Sequence, residues 1–191
     1  MLRIFGRFAP YAPLYFDICE CSYQEYRKSK AELIKKKNKS PKQWDDLIIV
    51  GQAALRSGTT TVVFAALCLE AFIYDYAATY FSNSYVDNYL DKLSLVAKWV
   101  VIPKLVLGKE FPRDSRAFEC LVKLKKARDA LVHAKSKQEP SSDEERAKML
   151  DELEQKETEN FENAYTALTE VLVQLYNLED NEQRNKWWSL S

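Results

Sequence analysis

One stretch of the sequence concentrates groups that can move protons and stabilise anions: Arg128-Asp129-Ala130-Leu131-Val132-His133. His133 is the only histidine in 191 residues, so any imidazole acid–base chemistry near neutral pH falls to this residue. Arg128 stands five positions earlier and carries a planar guanidinium suited to phosphate or carboxylate. On a helical wheel, Ala117, Cys120, Leu121, Leu124, Ala127, Leu131 and Val132 share one apolar face, and Arg128 falls in its middle. His133 falls off that face, beside Asp129 and Lys126. A cation on a core-facing position needs a partner or a ligand. Glu70, inside the apolar run FAALCLEAFIY, is the matching exception. The two are expected to face each other or a shared polar pocket, with Asp75 as the alternative acid. A buried ion pair without chemistry and a helix-end histidine beside the C-terminal dipole are the plain structural readings of the same residues.

Other chemistries find little support. Cys19 and Cys21 have C-x-C spacing rather than C-x-x-C, and Cys68 and Cys120 lie in apolar helical contexts. With one histidine, a structural zinc site would need all four cysteines. No metal and no cofactor is expected. The cysteine usage, together with an N-terminus interrupted by Pro10 and Pro13, reads as cytoplasmic.

The elements that must hold these residues are helices. Gly is only 4 and Pro only 6, too few for the tight turns of sandwiches, barrels or dinucleotide-binding folds. A first helix is expected from about Leu14 to Lys37, with Tyr15, Ile18, Ser22, Glu25, Ser29 and Leu33 along one flank. SPKQWDDL starts a second, with Ser40 as cap, Pro41 at the first position and a bend near Gly51 or Gly58. Its later part, Thr59 to Phe81, is apolar on nearly every face and belongs at the centre of a bundle. A third helical region begins near Ser84, is broken or kinked at Pro103 and ends at Gly108. Asp114 or Ser115 caps the helix carrying Arg128, and Ser141, Ser142 or Asp143 caps a last long helix to about Leu178. No strand of quality is expected. The fold class is all-α: an up-and-down bundle of four to five helices. Residues 1–40 form an N-terminal arm and first helix on the body, 41–180 the bundle and 181–191 a tail, in a single domain.

Lys+Arg and Asp+Glu both number 28, but the balance is not local. Residues 27–42 hold eight bases and one acid, and residues 123–137 six bases and one acid. Residues 143–162 hold nine acids and three bases. The basic segments could attract phosphate, and equally serve as solvated helix faces. The longest apolar-rich stretch is broken by Glu70 and Asp75, so no membrane-spanning helix is expected.

The Arg128-Asp129-Ala130-Leu131-Val132-His133 segment resembles the signature of HEPN domains (higher eukaryotes and prokaryotes nucleotide-binding): Arg, a polar residue, a few residues, then His. Leu69-Glu70-Ala71-Phe72-Ile73 is similar to their apolar second-helix segment with an embedded Glu. Ile102-Pro103-Lys104-Leu105 through Gly108-Lys109 is similar to the approach to their signature helix. The likeness covers about Trp44 to Leu178. Asp129 stands where Asn is frequent.

The resemblance implies a HEPN-like bundle and a metal-independent endoribonuclease working as a homodimer, usually a toxin or an antiviral-defence enzyme. One His133 would deprotonate the ribose 2′-OH, and the partner's His133 would assist the leaving 5′-oxygen. Arg128 would stabilise the phosphorane, with Asp129 orienting His133 or holding Arg128, and Glu70 in support. The products would be 2′,3′-cyclic phosphate and 5′-OH ends. Beyond RNA, an antitoxin or other defence-system protein is the implied partner. The dimer is expected to use the rim of Val122, Lys126, Asp129, Ala130 and His133, with Phe111 and Phe118 nearby, and Lys123, Lys126 and Lys135 lining an RNA cleft. A non-catalytic HEPN-like dimerisation or nucleotide-binding module is the alternative, and a helical scaffold with an Arg–Glu pair is a third reading.

Overall fold

Thr59 to Phe81 offers no polar face to water, and a helix of that kind is stable only when neighbours surround it. The computed structural model, which describes residues 3–4, 7–8, 11–37, 44–135 and 140–179, places it as the axis of an all-α fold. It forms most of α2 (Trp44–Tyr80), whose Val62, Ala65, Cys68, Leu69, Ile73 and Tyr76 are completely buried. By length and composition α2 could cross a membrane, but 61% of its most apolar window is buried by the rest of the protein. That burial is what the core helix of a bundle shows.

The neighbours are α1 (Tyr11–Lys37), α4 (Leu95–Leu107), α5 (Arg116–Val132) and α6 (Asp143–Leu178). Helix α1 runs antiparallel to α2. The Cys19 thiol donates to the Thr61 carbonyl at 3.5 Å, and the Cys68 thiol donates to the Ala12 carbonyl at 3.2 Å. Burial pushes the Cys19 thiol up to about 12, and Glu20 adds to the shift, so both cysteines act as core residues. Helix α6 packs on α2 and α5, and α4 on α2 and α5. A one-turn helix α3 (Asn83–Tyr85) brings the number to six among the described residues, one more than expected. Arg3–Ile4 and Arg7–Phe8 pair as two-residue antiparallel strands β1 and β2, with Arg3 opposite Phe8, a small ladder that the sequence reading lacked.

Local chemistry sets most helix ends. The Ser115 hydroxyl accepts from the Phe118 N–H at 3.2 Å, and Ser142 from the Glu145 N–H at 3.2 Å, so each serine caps its helix rather than the neighbouring aspartate. Gly108 ends α4 at φ 71°, a left-handed conformation that glycine adopts without strain. The expected cap at Ser40–Pro41 and the tail with Trp187 and Trp188 lie outside the described residues.

Several expectations need correction. Helix α1 begins at Tyr11 rather than Leu14, because Pro13 in the first turn forfeits no helical hydrogen bond. Its core face is Ala12, Phe16, Cys19, Tyr26 and Ser29, so of the expected flank only Ser29 is buried, while Tyr15, Ile18, Ser22 and Leu33 are half-buried and Glu25 is exposed. Pro103 does not break α4. It costs one hydrogen bond to the Trp99 carbonyl, and burial of Trp99, Ile102 and Pro103 holds the helix to Leu107. The third region is interrupted earlier, by a single π turn at Val86–Leu90 and a bend before Ser94, which caps α4 through Ala97.

Candidate functional site

Two mispatterned residues meet. The Arg128 Nη2 stands 3.7 Å from Glu70 Oε2, joining α5 to α2. Neither is fully buried: the Arg128 side chain is 30% exposed and that of Glu70 35%. The apolar wheel position puts Arg128 over the core, and its long stem lets the guanidinium reach the surface beside Glu70.

Glu70 is shared with a residue that the sequence reading passed over. Lys98 on α4 is 3% exposed, and its ammonium donates to Glu70 Oε1 at 3.0 Å and to Asp91 Oδ1 at 2.6 Å. A buried lysine is costly unless paired, and here two carboxylates flank it. The signal was present: Lys98 lies on the buried face of LVAKWVVIPKLVL, as anomalous there as Glu70 is in α2. Asp91 carried no comparable signal, because the bend that aims it at Lys98 is a tertiary feature.

On the other side of Arg128, Asp129 extends the chain of charges. Its carboxylate lies 3.3 Å from Arg128 Nη1 and 2.6 Å from Lys125 Nζ. The Lys125 hydrogen bond is the main reason that its carboxyl is held below the usual aspartate range, helped by the charges of Arg128 and His133. Of the two expected roles, the geometry has Asp129 holding Arg128. Asp91, Lys98, Glu70, Arg128, Asp129 and Lys125 thus alternate in sign across three helices and one bend.

His133 is the C-cap of α5. Its backbone N–H donates to the Asp129 carbonyl at 2.9 Å, and its side chain is exposed. It lies five residues beyond Arg128, about 7.5 Å along a helix axis. With one imidazole in the sequence, a site that uses two imidazoles would need a second chain. Lys123, Lys126 and Lys135 are all exposed, and Lys123 is engaged by Glu119 at 2.7 Å. Among the described residues, no three His, Cys, Asp or Glu side chains are grouped as metal ligands would be.

The expected dimer rim changes in composition. Phe111 is 1% exposed and packs edge-on against Trp99 at 5.9 Å, so it belongs to the core and not to an outer surface. Phe118 is half-buried. Leu131 and Val132, expected on the core face, are exposed, because the last turn of α5 passes beyond the cover of its neighbours.

No known family model matches the chain, and neither the curated proteins nor the solved structures contain a match to it.

Proposed function

We propose that the chain is a metal-independent endoribonuclease of HEPN type, a cytoplasmic toxin or defence enzyme that cleaves RNA at a composite site in a homodimer. The observation carrying this reading is a half-buried, carboxylate-anchored Arg128 followed five residues later by an exposed His133 at the C-cap of α5. Glu70 and Asp129 fix the guanidinium at a surface position where a phosphate could meet it. One His133 takes the 2′-OH proton as the 2′-oxygen attacks phosphorus. The partner's His133 protonates the departing 5′-oxygen as its bond to phosphorus breaks. Lys126 and Lys135 add cationic surface near the cleavage point, so binding weakens as salt rises. An antitoxin or other defence-system protein is the expected regulator.

One observation favours the non-catalytic alternative. Arg128 has two carboxylates within 3.7 Å, which neutralise the charge it would offer a phosphate. Total RNA incubated with the purified protein in EDTA separates the readings. Cleavage leaving cyclic phosphate ends, reduced at least about 10²-fold by His133→Ala, is expected of the nuclease. No cleavage, or cleavage at an undiminished rate by His133→Ala, overturns it.

A further inference from the structure

Where α1, α2 and α6 meet, the helices leave an open groove of about 310 Å³ between them. Its walls are mostly apolar, with Tyr26, Leu33, Ala54, Leu55 and Phe161 among the lining side chains. Small-molecule sites are about 300–1,000 Å³ in size and are lined in this way, with a few polar groups that orient the ligand. The aromatic wall is firmly built: the Tyr26 and Phe161 rings meet edge to face at 5.3 Å, and both side chains are buried. Gly51 opens the α2 wall, since a methyl group added there would meet no atom within 4 Å.

The polar groups of the groove do not balance one another. Lys30 lines it, but its ammonium is already engaged, 3.6 Å from Glu162 Oε1 and 5.5 Å from the centre of the Tyr26 ring. Glu154 and Glu157 line it from α6, three residues apart and so on neighbouring positions of one helix face. Glu157 is half-buried and makes no ion pair among the described residues. Burial, and then the charge of Glu154, raise its carboxyl above the usual range, as for an acid that lacks a cation. The Tyr26 hydroxyl is buried with no hydrogen-bond partner among the described residues. Buried polar groups are nearly always paired, so an exception on the wall of a groove asks for a reason.

We propose that this groove binds a small organic amine, its apolar body against Tyr26, Leu55 and Phe161, its ammonium on the Glu157 carboxylate, and the Tyr26 hydroxyl as a further polar contact. Charge decides against the other small ligands an apolar groove could take. A fatty acid or a phosphate ester would add an anion beside Glu154 and Glu157, with Lys30 held by Glu162. A neutral ligand would cover Glu157 and leave it without a cation. The inference does not rest on the ribonuclease reading. Ala54 and Glu70 are separated along α2 by about 24 Å at 1.5 Å per residue, and the test below involves no cleavage.

Isothermal titration of the full chain with n-alkylamines tests it. n-Octylamine should bind one to one with a Kd below about 1 mM at neutral pH. n-Hexylamine, shorter by two methylenes, should bind at least about tenfold more weakly. 1-Octanol and octanoate carry the same hydrocarbon without the cation and should also lose at least about tenfold. Glu157→Gln keeps the size of the side chain and should weaken n-octylamine at least about tenfold. Gly51→Leu places a side chain in the open groove and should abolish binding while the helical circular dichroism is kept. Tyr26→Phe should weaken binding about threefold without lowering the thermal midpoint, because the hydroxyl it removes has no partner in the free chain. No saturable binding, octanol or octanoate bound as tightly as the amine, or undiminished binding by Glu157→Gln or by Gly51→Leu overturns the proposal.

Discussion

Replacing Glu70 by alanine should cost more stability than replacing Lys98 by methionine, although the two share one ion pair. The reason is which member is buried. The Lys98 side chain is 3% exposed, whereas Glu70 is 35% and Asp91 53% exposed. With Lys98→Met, both carboxylates return to water, Glu70 keeps Arg128 at 3.7 Å, and the methionine fills the lysine's space. Exchanging a buried charge for an apolar side chain of similar length should leave stability within about 1 kcal/mol of its starting value. With Glu70→Ala, the buried ammonium keeps only Asp91, at 2.6 Å. Breaking a buried pair costs about 3–5 kcal/mol when the survivor is left alone. The remaining partner brings the expectation to about 2–3 kcal/mol. Adding Lys98→Met to Glu70→Ala removes the stranded cation and should recover about 2 kcal/mol, a strong departure from additivity. Urea unfolding of the four proteins at neutral pH, followed by far-UV circular dichroism, measures this. A slope of about 2 kcal/mol/M turns the recovery into a midpoint shift of about 1 M. Equal losses for the two single variants, or a double variant no more stable than Glu70→Ala, would refute the reasoning.

The remaining predictions follow from the same contacts. Arg128→Ala should lower cleavage while costing only about 1 kcal/mol, because Glu70 retains Lys98, and Arg128→Lys should restore stability better than activity. Thermal melts and cleavage rates on the two variants decide it, and a large stability loss in Arg128→Ala would contradict the shared-acid geometry. Gly58→Ala should destabilise by about 1–3 kcal/mol, since a methyl group there overlaps the Phe161 ring, whereas Gly51→Ala meets nothing and should stabilise by a few tenths to about 1 kcal/mol. Chemical denaturation compares them, and equal behaviour would count against the α2–α6 packing. Asp129 should titrate below the ordinary aspartate value of about 3.9 and move up toward it in Lys125→Met. Its pairing therefore supports the fold above that value and is lost as pH falls through the lowered one, which carboxyl NMR shifts across an acid titration can follow. No change in Lys125→Met would assign the shift to another cause.

Helix ends were legible because caps act over three or four residues: Ser115, Ser142 and Gly108 perform through neighbours in the chain what their types predict. The central place of α2 was legible because a helix apolar on every face has only one stable environment. The Arg128–Glu70 pair was legible for a related reason, since each is a charge in an apolar pattern and each needs the other sign nearby. Lys98 met the same criterion in α4, but the bend that turns Asp91 onto it is set by packing and leaves no periodic trace. Periodicity names the face of a helix that turns inward, not how far along the axis its neighbours extend. That is why Leu131 and Val132 stand in solvent on a core-facing stripe, and why the α6 stripe that buries Phe161 runs out to exposed Leu153 and Leu150. It is also why Phe111, in a short connection without a period to read, proved to be a core residue against Trp99. The extent of burial depends on where whole helices end relative to one another, a distance between elements far apart in the chain, and only the tertiary structure sets it.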